Sequence, residues 1–502
     1  MAGPDMTYSM VDYADVQGLV RFGYGRMTSA SYALVRVKNE AAAKAWLRGA
    51  PVTNAAERRP PPTTALQIAF TAPGLTQLGL PPSVMQGFSR EFRAGMTRDY
   101  RTRLLGDVGH NAPEQWDWGR PGSEPHLLVM FFAEPEHFDS FVQNTKGQTW
   151  GDAFEELIWL GTSNLDGDEP FGFTDGISQP QIDWDQERQT PCTQLEYTNI
   201  VALGEFLLGY RNEYGKITDR PLMDPDVANA ELLAAVDAPD KKDLGRNGTY
   251  LVMRQLQQDV PEFWKFLYEH AGANLAEAAQ LGAKMVGRTQ AGDPLLPIQD
   301  EPIPGTEPRT VKQNQFTYEA DPAGARCPFG AHIRRSNPRN SDFPGRRISA
   351  LRKLIIMLGF GPKDFYYDVT SSVRFHRILR RGREYGSELS PEQALQPGPP
   401  NEPRGLHFIC LNANIARQFE FLQSAWIANT KFSGLTGESD PLLGNRKPIQ
   451  GCPVTGNFTM PSAGALPRRV AGLPQFVTVK GGAYFFLPSL RVFRYIAGTR
   501  NS

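Results

Sequence analysis

An acidic residue between two glycines is the first feature of this sequence that could do chemistry. Asp175 lies in FGFTDGISQP, residues 171–180, with Gly172 and Gly176 on either side. Glycine adopts a positive φ and allows close approach of backbone groups without steric cost, so the spacing predicts a tight turn. A carboxylate held in such a turn either caps backbone groups or transfers protons.

A histidine among arginines is the second feature. His332 lies in ARCPFGAHIRRSNPR, residues 325–339, and is one of seven histidines in the chain. Nearby positive charge disfavours imidazolium and keeps the ring neutral, which is the state a metal ligand requires. Arginines also pair with carboxylates such as the two propionates of a haem. The stretch therefore indicates either a basic surface loop or the iron ligand of a haem site.

A pair of arginines supplies a third group. Arg380 and Arg381 lie in FHRILRRGREYG, residues 375–386, at the end of a strand-like segment and before a glycine. Taken alone, the pair is typical of a solvated basic edge. Together with Asp175 and His332 it permits a peroxidase site, in which the histidine binds one face of the iron while the carboxylate and an arginine face the other.

The remaining histidines are interpreted as structural. One alternative stays open for His376, which lies four residues before Arg380 and would share a face with it on a helix, so that it is a rival iron ligand. The others match neither motif: His110, His126, His137, His270 and His407.

Strand patterns followed by helix patterns must position these side chains, and they recur along the chain. This alternation predicts packed α+β layers in two related halves. A charged stretch with prolines over 212–247 puts the boundary near residue 225. Two stretches rich in proline and glycine, 288–309 and 388–404, predict long surface loops. The strand-to-helix patterns cover 31–48, 64–80, 126–146, 248–271 and 405–426.

The composition excludes several classes of protein. At 502 residues the chain exceeds the usual size of one core, so two domains are expected. A net charge of −1 gives no electrostatic reason to bind nucleic acid or an anionic membrane. Four single cysteines without CxxC spacing argue against structural zinc and c-type haem. The N-terminus has no signal-peptide pattern and no apolar run is long enough to cross a membrane, so we expect a cytoplasmic protein.

Four motifs in order along the chain carry a resemblance to the dye-decolorizing peroxidases, a family of haem enzymes. They are GFTDG at 172–176, HIRRSNPR at 332–339, ILRRG at 378–382 and GGAYFFLP at 481–488. GxxDG is weak alone, but DVQGLV, GTYLVMRQLQQDV and GLHFICLN add to it and extend the resemblance over nearly the whole chain. The length resembles that of the larger subgroup, which includes fungal and some bacterial enzymes.

The resemblance implies an α+β fold of two ferredoxin-like halves, with antiparallel sheets and peripheral helices. The N-terminal domain, residues 10–225, would carry the GxxDG motif, and the C-terminal domain, residues 226–502, would bind haem b. Residues 349–372, between the histidine and arginine motifs, look longer than in the family and are expected to alter the channel to the haem edge.

The family's residue roles carry over by motif. His332 is implied to be the proximal iron ligand, Asp175 the distal acid–base residue and Arg380 the distal arginine, with Arg381 as its rival. Arg339 matches the position that binds a haem propionate.

Further residues follow from the same resemblance. Leu406 and Phe408 alternate on one strand, so they share a face, and they match the apolar pair over the distal haem. The carboxylate that accepts the proximal histidine Nδ1–H is implied to be Asp440 or Glu438, and the sequence leaves both open. Two aromatic residues are candidate surface electron relays for dyes too bulky to enter the pocket: Tyr385 and Trp426.

The implied function is a peroxidase that uses hydrogen peroxide to oxidise dyes, phenolics and other aromatic one-electron donors through a ferryl haem. Because the acid–base group is an aspartate, with an ordinary pKa of about 3.9, we expect activity to be favoured at acidic pH. The alternative is a haem-binding protein that releases iron. A third interpretation, a protein without haem in which Asp175 caps a turn, requires the motif match to be accidental.

Overall fold

We describe the protein from a computed structural model, which describes residues 10–186, 199–226, 231–296, 313–314, 316–339, 373–447, 455–462 and 464–498. Residues 349–372, expected to alter the channel to the haem edge, lie outside these ranges. None of the helices in the described ranges is long and apolar enough to cross a membrane.

In the described ranges, an antiparallel sheet of nine strands runs through the molecule. Its first four strands come from the N-terminal half: β1 (Ser29–Val37), β2 (Thr64–Phe70), β3 (Leu127–Ala133) and β4 (Phe154–Gly161). The others come from the C-terminal half: β5 (Thr249–Gln258), β6 (Leu379–Arg380), β7 (Arg383–Tyr385), β8 (Gly405–Asn412) and β9 (Val477–Leu487). The order is β6-β8-β5-β9-β2-β3-β1-β4, and β7 also pairs with β8.

The two halves of the sheet meet at β9 and β2, where Phe486 lies opposite Phe70. Each half therefore contributes its own antiparallel strands, and this arrangement confirms the expected α+β fold with two antiparallel halves. The boundary near residue 225 stays a prediction.

Helices cover the sheet, and side-chain oxygens cap several of them. Asn39 accepts from the Ala42 N–H at 2.9 Å, and Thr71 accepts from the Gly74 N–H at 3.1 Å, each at the start of a helix. The helices are α1 (Glu40–Gly49), α2 (Ala72–Gln77), α3 (Pro82–Met85), α4 (Arg90–Ala94), α5 (Asp99–Leu105), α6 (Phe138–Lys146), α7 (Trp150–Ala153), α8 (Val260–His270), α9 (Leu275–Val286), α10 (His332–Ser336), α11 (Pro391–Ala394) and α12 (Leu490–Ile496).

Hydrophobic side chains are buried on both faces of the sheet. Leu34 and Met130 belong to one buried cluster, whereas their chain neighbours Val35 and Phe131 belong to the other. Since both faces are covered, β3 is apolar throughout, and β2 is apolar apart from Thr64 and the buried Gln67. The face that carries Val35 and Phe131 stays partly open in the C-terminal half of the sheet, where it forms the wall of a cavity.

Candidate active site

A cavity lies against the C-terminal half of the sheet. Strands β5, β6, β8 and β9 form one wall. The other walls come from α10, the end of α9, the GFTDG turn and the segments 105–111, 376–378, 419–427 and 442–443. It offers about 240 Å³ to the centres of water-sized molecules. Apolar side chains dominate its lining, among them Leu256, Ile378, Leu406, Phe408 and Phe419.

The structure brings together most of the residues that the sequence singled out. Asp175, His332, Arg339, Arg380, Leu406 and Phe408 all line this one cavity. Four of the predicted site residues, Tyr385, Trp426, Glu438 and Asp440, are not part of its lining.

The turn that carries Asp175 has the predicted form. Gly172 and Gly176 both have a positive φ, 86° and 76°, and the Asp175 N–H donates to the Gly167 carbonyl at 2.9 Å. Asp175 directly follows a short hairpin, in which Asp168–Glu169 pairs with Phe173–Thr174. The carboxylate is thereby directed into the cavity.

Arg380 is paired with this carboxylate. Its Nη1 donates to Asp175 Oδ1 at 2.8 Å, and its backbone N–H in β6 donates to Gln179 Oε1 at 3.0 Å. Burial acts to raise the pKa of Asp175, but Arg380 and the Gly176 N–H outweigh it and hold that pKa below the usual carboxyl range. Asp175 is therefore ionised and ready to accept a proton.

Arg381 faces the opposite way. Its Nε donates to the Leu19 carbonyl at 2.8 Å and its Nη2 to the Val20 carbonyl at 3.1 Å, so it ties β6 to the N-terminal half. Successive side chains of a strand point to opposite faces, which is why Arg380 and not its neighbour reaches the cavity.

His332 begins α10 and is held by a buried carboxylate. Its Nδ1 lies 2.9 Å from Asp440 Oδ2, while Asp440 Oδ1 accepts the N–H groups of Leu442 and Leu443 at 2.9 Å each. Asp440 is fully buried. With Nδ1 engaged, Nε2 is the ring nitrogen left to bind a metal.

Glu438 contacts Thr459 and not His332. Its Oε2 accepts the Thr459 N–H at 3.0 Å, and its other oxygen accepts the hydroxyl of the same residue. Of the two carboxylates that the sequence left open, Asp440 is the one that contacts His332.

The expectation that arginines keep His332 neutral is wrong. Arg334 donates to the Cys327 carbonyl and Arg335 to the Trp426 carbonyl, at 2.6 and 2.7 Å, so neither is directed at the ring. Burial lowers the pKa of His332, but Asp440 more than offsets this and raises it above the usual value. A metal ion bound at Nε2 would take the place of the proton that this nitrogen carries in the imidazolium form.

Arg339 lines the cavity with its guanidinium engaged by the protein. Nη1 donates to the carbonyls of Asn314 and Phe316, and Nη2 donates to Ser178 Oγ and Asn314 Oδ1, at 2.8–3.1 Å. It sits in the left-handed region, with φ 54°.

Arg288 is a cavity residue that the sequence did not single out. It begins the stretch 288–309 that was interpreted as a surface loop, yet its side chain is buried and lines the cavity. Its Nη1 donates to the carbonyls of Gly292 and Gln313, whereas Nη2 has no hydrogen-bond partner among the described residues. Burial and the neighbouring Arg339 lower the pKa of Arg288 to about 10. No motif marks this arginine, so only its position in the fold could reveal it.

Leu406 and Phe408 share a face of β8, as alternation predicts, and both line the cavity. His407 between them turns to the other face, where its ring stacks on Tyr385 with centroids 4.5 Å apart and Nε2 lies 3.0 Å from the Gly161 carbonyl. His407 is structural by this geometry.

The two proposed surface relays are not at the surface. Tyr385 is 9% exposed and Trp426 is 7% exposed. Tyr385 packs under β8 beside His407, and Trp426 packs edge-on against His376 with centroids 5.3 Å apart. The expectation of surface positions is wrong because the C-terminal half folds over both rings, and a role in electron transfer stays a prediction.

His376 also lines the cavity, where its ring is held by a backbone carbonyl and an aromatic ring. Its ring stacks on Phe421 at 3.7 Å, and its Nδ1 contacts the Arg417 carbonyl. The geometry around His332 is the one typical of a metal ligand, since a carboxylate orients the ring.

The residues of this cavity fit a haem. Apolar walls suit the porphyrin faces, a histidine oriented by a carboxylate suits the iron, and the unpartnered Arg288 Nη2 can meet a propionate. A second cavity of about 320 Å³ shares Asp175, Arg380 and Phe408 with the first.

Comparisons with known proteins find relatives of one kind, although no family model matches the chain. A dye-decolorizing peroxidase of Mycena epipterygia is 31% identical over 471 residues, which cover 87% of this chain and 76% of the relative. The dye-decolorizing peroxidase AauDyP1 of Auricularia auricula-judae is 30% identical over 448 residues, covering 86% and 75%.

Solved structures show the same similarity. A dye-decolorizing peroxidase from Auricularia auricula-judae superposes with a TM-score of 0.70 and 26% identity, covering 97% of this chain and all of that one. A dye-decolorizing peroxidase in complex with 2,6-dimethoxyphenol gives a TM-score of 0.70 and 25% identity over 97% of this chain and 100% of that one.

Proposed function

Because this chain belongs to the dye-decolorizing peroxidases, it is a peroxidase whose cofactor is haem, and we propose that haem b binds in the cavity with His332 as the iron ligand. When bound, the haem supplies the two-electron reduction of peroxide and then takes single electrons from two donors. The observation that carries the proposal is the convergence of the His332–Asp440 and Arg380–Asp175 pairs on one cavity.

The protein's own residues divide the remaining work. Asp440 holds the His332 ring through Nδ1 and leaves Nε2 for the iron. Arg288, whose Nη2 has no hydrogen-bond partner among the described residues, would meet a propionate, and the neighbouring Arg339 would add positive charge at that end of the cavity.

Asp175 and Arg380 act on hydrogen peroxide. Asp175, ionised at rest, accepts a proton from one peroxide oxygen and returns it to the other, which leaves as water. Arg380 stabilises the negative charge that develops on the departing oxygen. Leu406 and Phe408 keep this side of the cavity apolar, so that few waters compete with peroxide.

The proposed reducing substrates are aromatic one-electron donors such as phenolics and dyes. The Asp175–Arg380 pair supports a peroxidase over the iron-releasing alternative, because a protein that only handles haem has no use for a paired acid–base group. A cytoplasmic location stays a prediction from the sequence.

An absorption spectrum tests the proposal. Protein purified with haem should show a Soret band that shifts when one equivalent of hydrogen peroxide is added, and His332→Ala should lose or strongly alter that band. A wild-type protein that binds no haem, or a His332→Ala variant with an unchanged spectrum, would contradict the assignment.

A further inference from the structure

Two arginines lie around the carboxylate that holds His332. Arg335 is on α10, three residues after His332, and is fully buried. Arg446 follows the stretch that carries Asp440 and is partly buried. The proposed function gives neither arginine a task, although both belong to the segments that position the His332–Asp440 pair.

Arg335 donates to backbone carbonyls with all three of its nitrogens. Its Nη1 donates to the carbonyls of Trp426 and Asn429 at 2.7 and 2.9 Å. Its Nη2 donates to the Glu438 carbonyl at 2.6 Å, and its Nε donates to the Gly330 carbonyl at 3.3 Å. Neutral groups thus fix the position of a buried positive charge.

Arg446 is held in a similar way, around the backbone of Asp440. Its Nη2 donates to the carbonyls of Asp440 and Pro441 at 3.0 and 2.6 Å. Its Nη1 donates to Ser439 Oγ at 2.8 Å, and its Nε donates to the Pro474 carbonyl at 3.1 Å. The guanidinium therefore contacts the main chain of the residue whose side chain holds the histidine.

Both arginines keep their charge and interact with the Asp440 carboxylate. Burial lowers the pKa of Arg335 and that of Arg446 to about 10, against the attraction of this carboxylate. Glu438 adds to the attraction on Arg335, and the two guanidinium groups repel each other. With a pKa of about 10, both side chains are protonated at neutral and acidic pH. Their hydrogen bonds to described residues all go to carbonyls and one hydroxyl, so their charges act on Asp440 through space.

We propose that Arg335 and Arg446 are positioning residues that limit how strongly Asp440 draws on the His332 ring, and that they thereby raise the reduction potential of the iron that the proposed function places at Nε2. A carboxylate that accepts from Nδ1 makes the ring a stronger donor to a metal, which favours ferric over ferrous iron. Positive charge near that carboxylate holds the negative charge on its oxygens and weakens this effect. The oxidised cofactor is then a stronger oxidant, which extends the range of aromatic donors to those that give up an electron less readily.

Substitutions at Arg446 separate charge from packing. Arg446→Met removes the positive charge but keeps a long side chain, and Arg446→Lys restores the charge. The matched control is Arg404→Met, because Arg404 is buried and also binds three backbone carbonyls and a serine hydroxyl. Arg404 lines neither of the two cavities. Arg335→Met is a second, independent variant.

The measurement is a spectroelectrochemical titration of the haem-loaded protein, in which the Soret band reports the ferric–ferrous midpoint potential. Arg446→Met should favour the ferric state about tenfold, which lowers the potential by about 59 mV for a one-electron couple. Arg335→Met should shift it in the same direction, while Arg446→Lys and Arg404→Met should lie close to wild type. In the ferrous protein, the iron–histidine stretching frequency in resonance Raman spectra should rise in Arg446→Met, because Asp440 then draws more strongly on the ring.

An Asp440→Asn background shows whether the effect passes through the carboxylate. Arg446→Met should shift the potential much less in Asp440→Asn than in wild type, because the charge on which the arginine acts is gone. A shift of full size in that background would show that the arginine acts on the iron directly, and would overturn the positioning role.

The remaining outcomes separate this inference from the proposed function on which it rests. An unchanged or raised potential in Arg446→Met would overturn the inference, and so would an equal shift in Arg446→Lys or Arg404→Met. The protein would still be a haem peroxidase in each of these cases. A wild-type protein that binds no haem, or a His332→Ala variant with an unchanged spectrum, would instead overturn the proposed function.

Discussion

Replacement of Asp440 by Asn should weaken haem binding through the orientation of His332. In the native protein Asp440 uses one oxygen for His332 Nδ1 and the other for the Leu442 and Leu443 N–H groups. An asparagine has one oxygen and one NH2 group, so it cannot accept on both sides. Either the amide faces Nδ1 and forces the imidazole proton onto Nε2, or it faces the two backbone donors.

Both outcomes have a similar cost. A buried donor left without a partner costs about 1–3 kcal/mol. Loss of the group that orients a metal-bound histidine typically weakens metal affinity about 10- to 100-fold, which corresponds to about 1.4–2.8 kcal/mol. We therefore expect the Kd for haem to rise about 10- to 100-fold in Asp440→Asn.

The assay is a titration of the haem-free protein with haem, followed by the Soret absorbance, with thermal unfolding as a check on folding. Glu438→Gln is the matched control, because Glu438 is equally buried in the same loop but contacts Thr459 rather than His332. An unchanged Kd in Asp440→Asn, or equal increases in both variants, would refute the orienting role of Asp440.

Three further predictions concern the peroxide and donor sides of the site. Asp175→Asn should slow the reaction with peroxide about 10²- to 10⁴-fold in stopped-flow measurements. In the same assay, Arg380→Lys should slow the reaction far more than Arg381→Lys. Similar losses in the two lysine variants would contradict the geometry. Because Arg380 lowers the pKa of Asp175, this carboxylate stays ionised at mildly acidic pH, and the rate of the peroxide reaction falls only as pH drops through that lowered pKa. Arg380→Gln should move this decline to higher pH. A decline at an unchanged pH would count against the pairing. If Tyr385 relays electrons, Tyr385→Phe should lower turnover of a large dye but not of a small phenol, and equal effects on both would rule the relay out.

Local sequence patterns predicted the elements that the structure contains. The apolar run at 64–70 is β2, residue for residue, and Thr71 caps the helix that was expected after it. The glycines around Asp175 predicted a turn, because their steric freedom is a property of the residue itself. Such signals depend on neighbours within a few positions, and these are visible in the sequence.

Choices between adjacent candidates were left to the tertiary structure. Arg380 and Arg381 have the same side chain, but β6 turns one toward Asp175 and the other toward Leu19. Similarly, both acids of the GESD stretch could serve the histidine, and only the path of that loop brings Asp440 to His332. The contacts that decide join residues 205 and 108 positions apart.

Burial was the other property that the sequence alone did not determine. Arg288 was assigned to a surface loop, and Tyr385 and Trp426 to the surface, yet all three are buried. Whether a side chain is covered depends on which distant segments pack over it, and residue type and spacing carry no record of that. Residue types along the chain specified the kinds of group available for peroxide chemistry, while their partners, directions and exposure followed from packing between segments far apart in the chain.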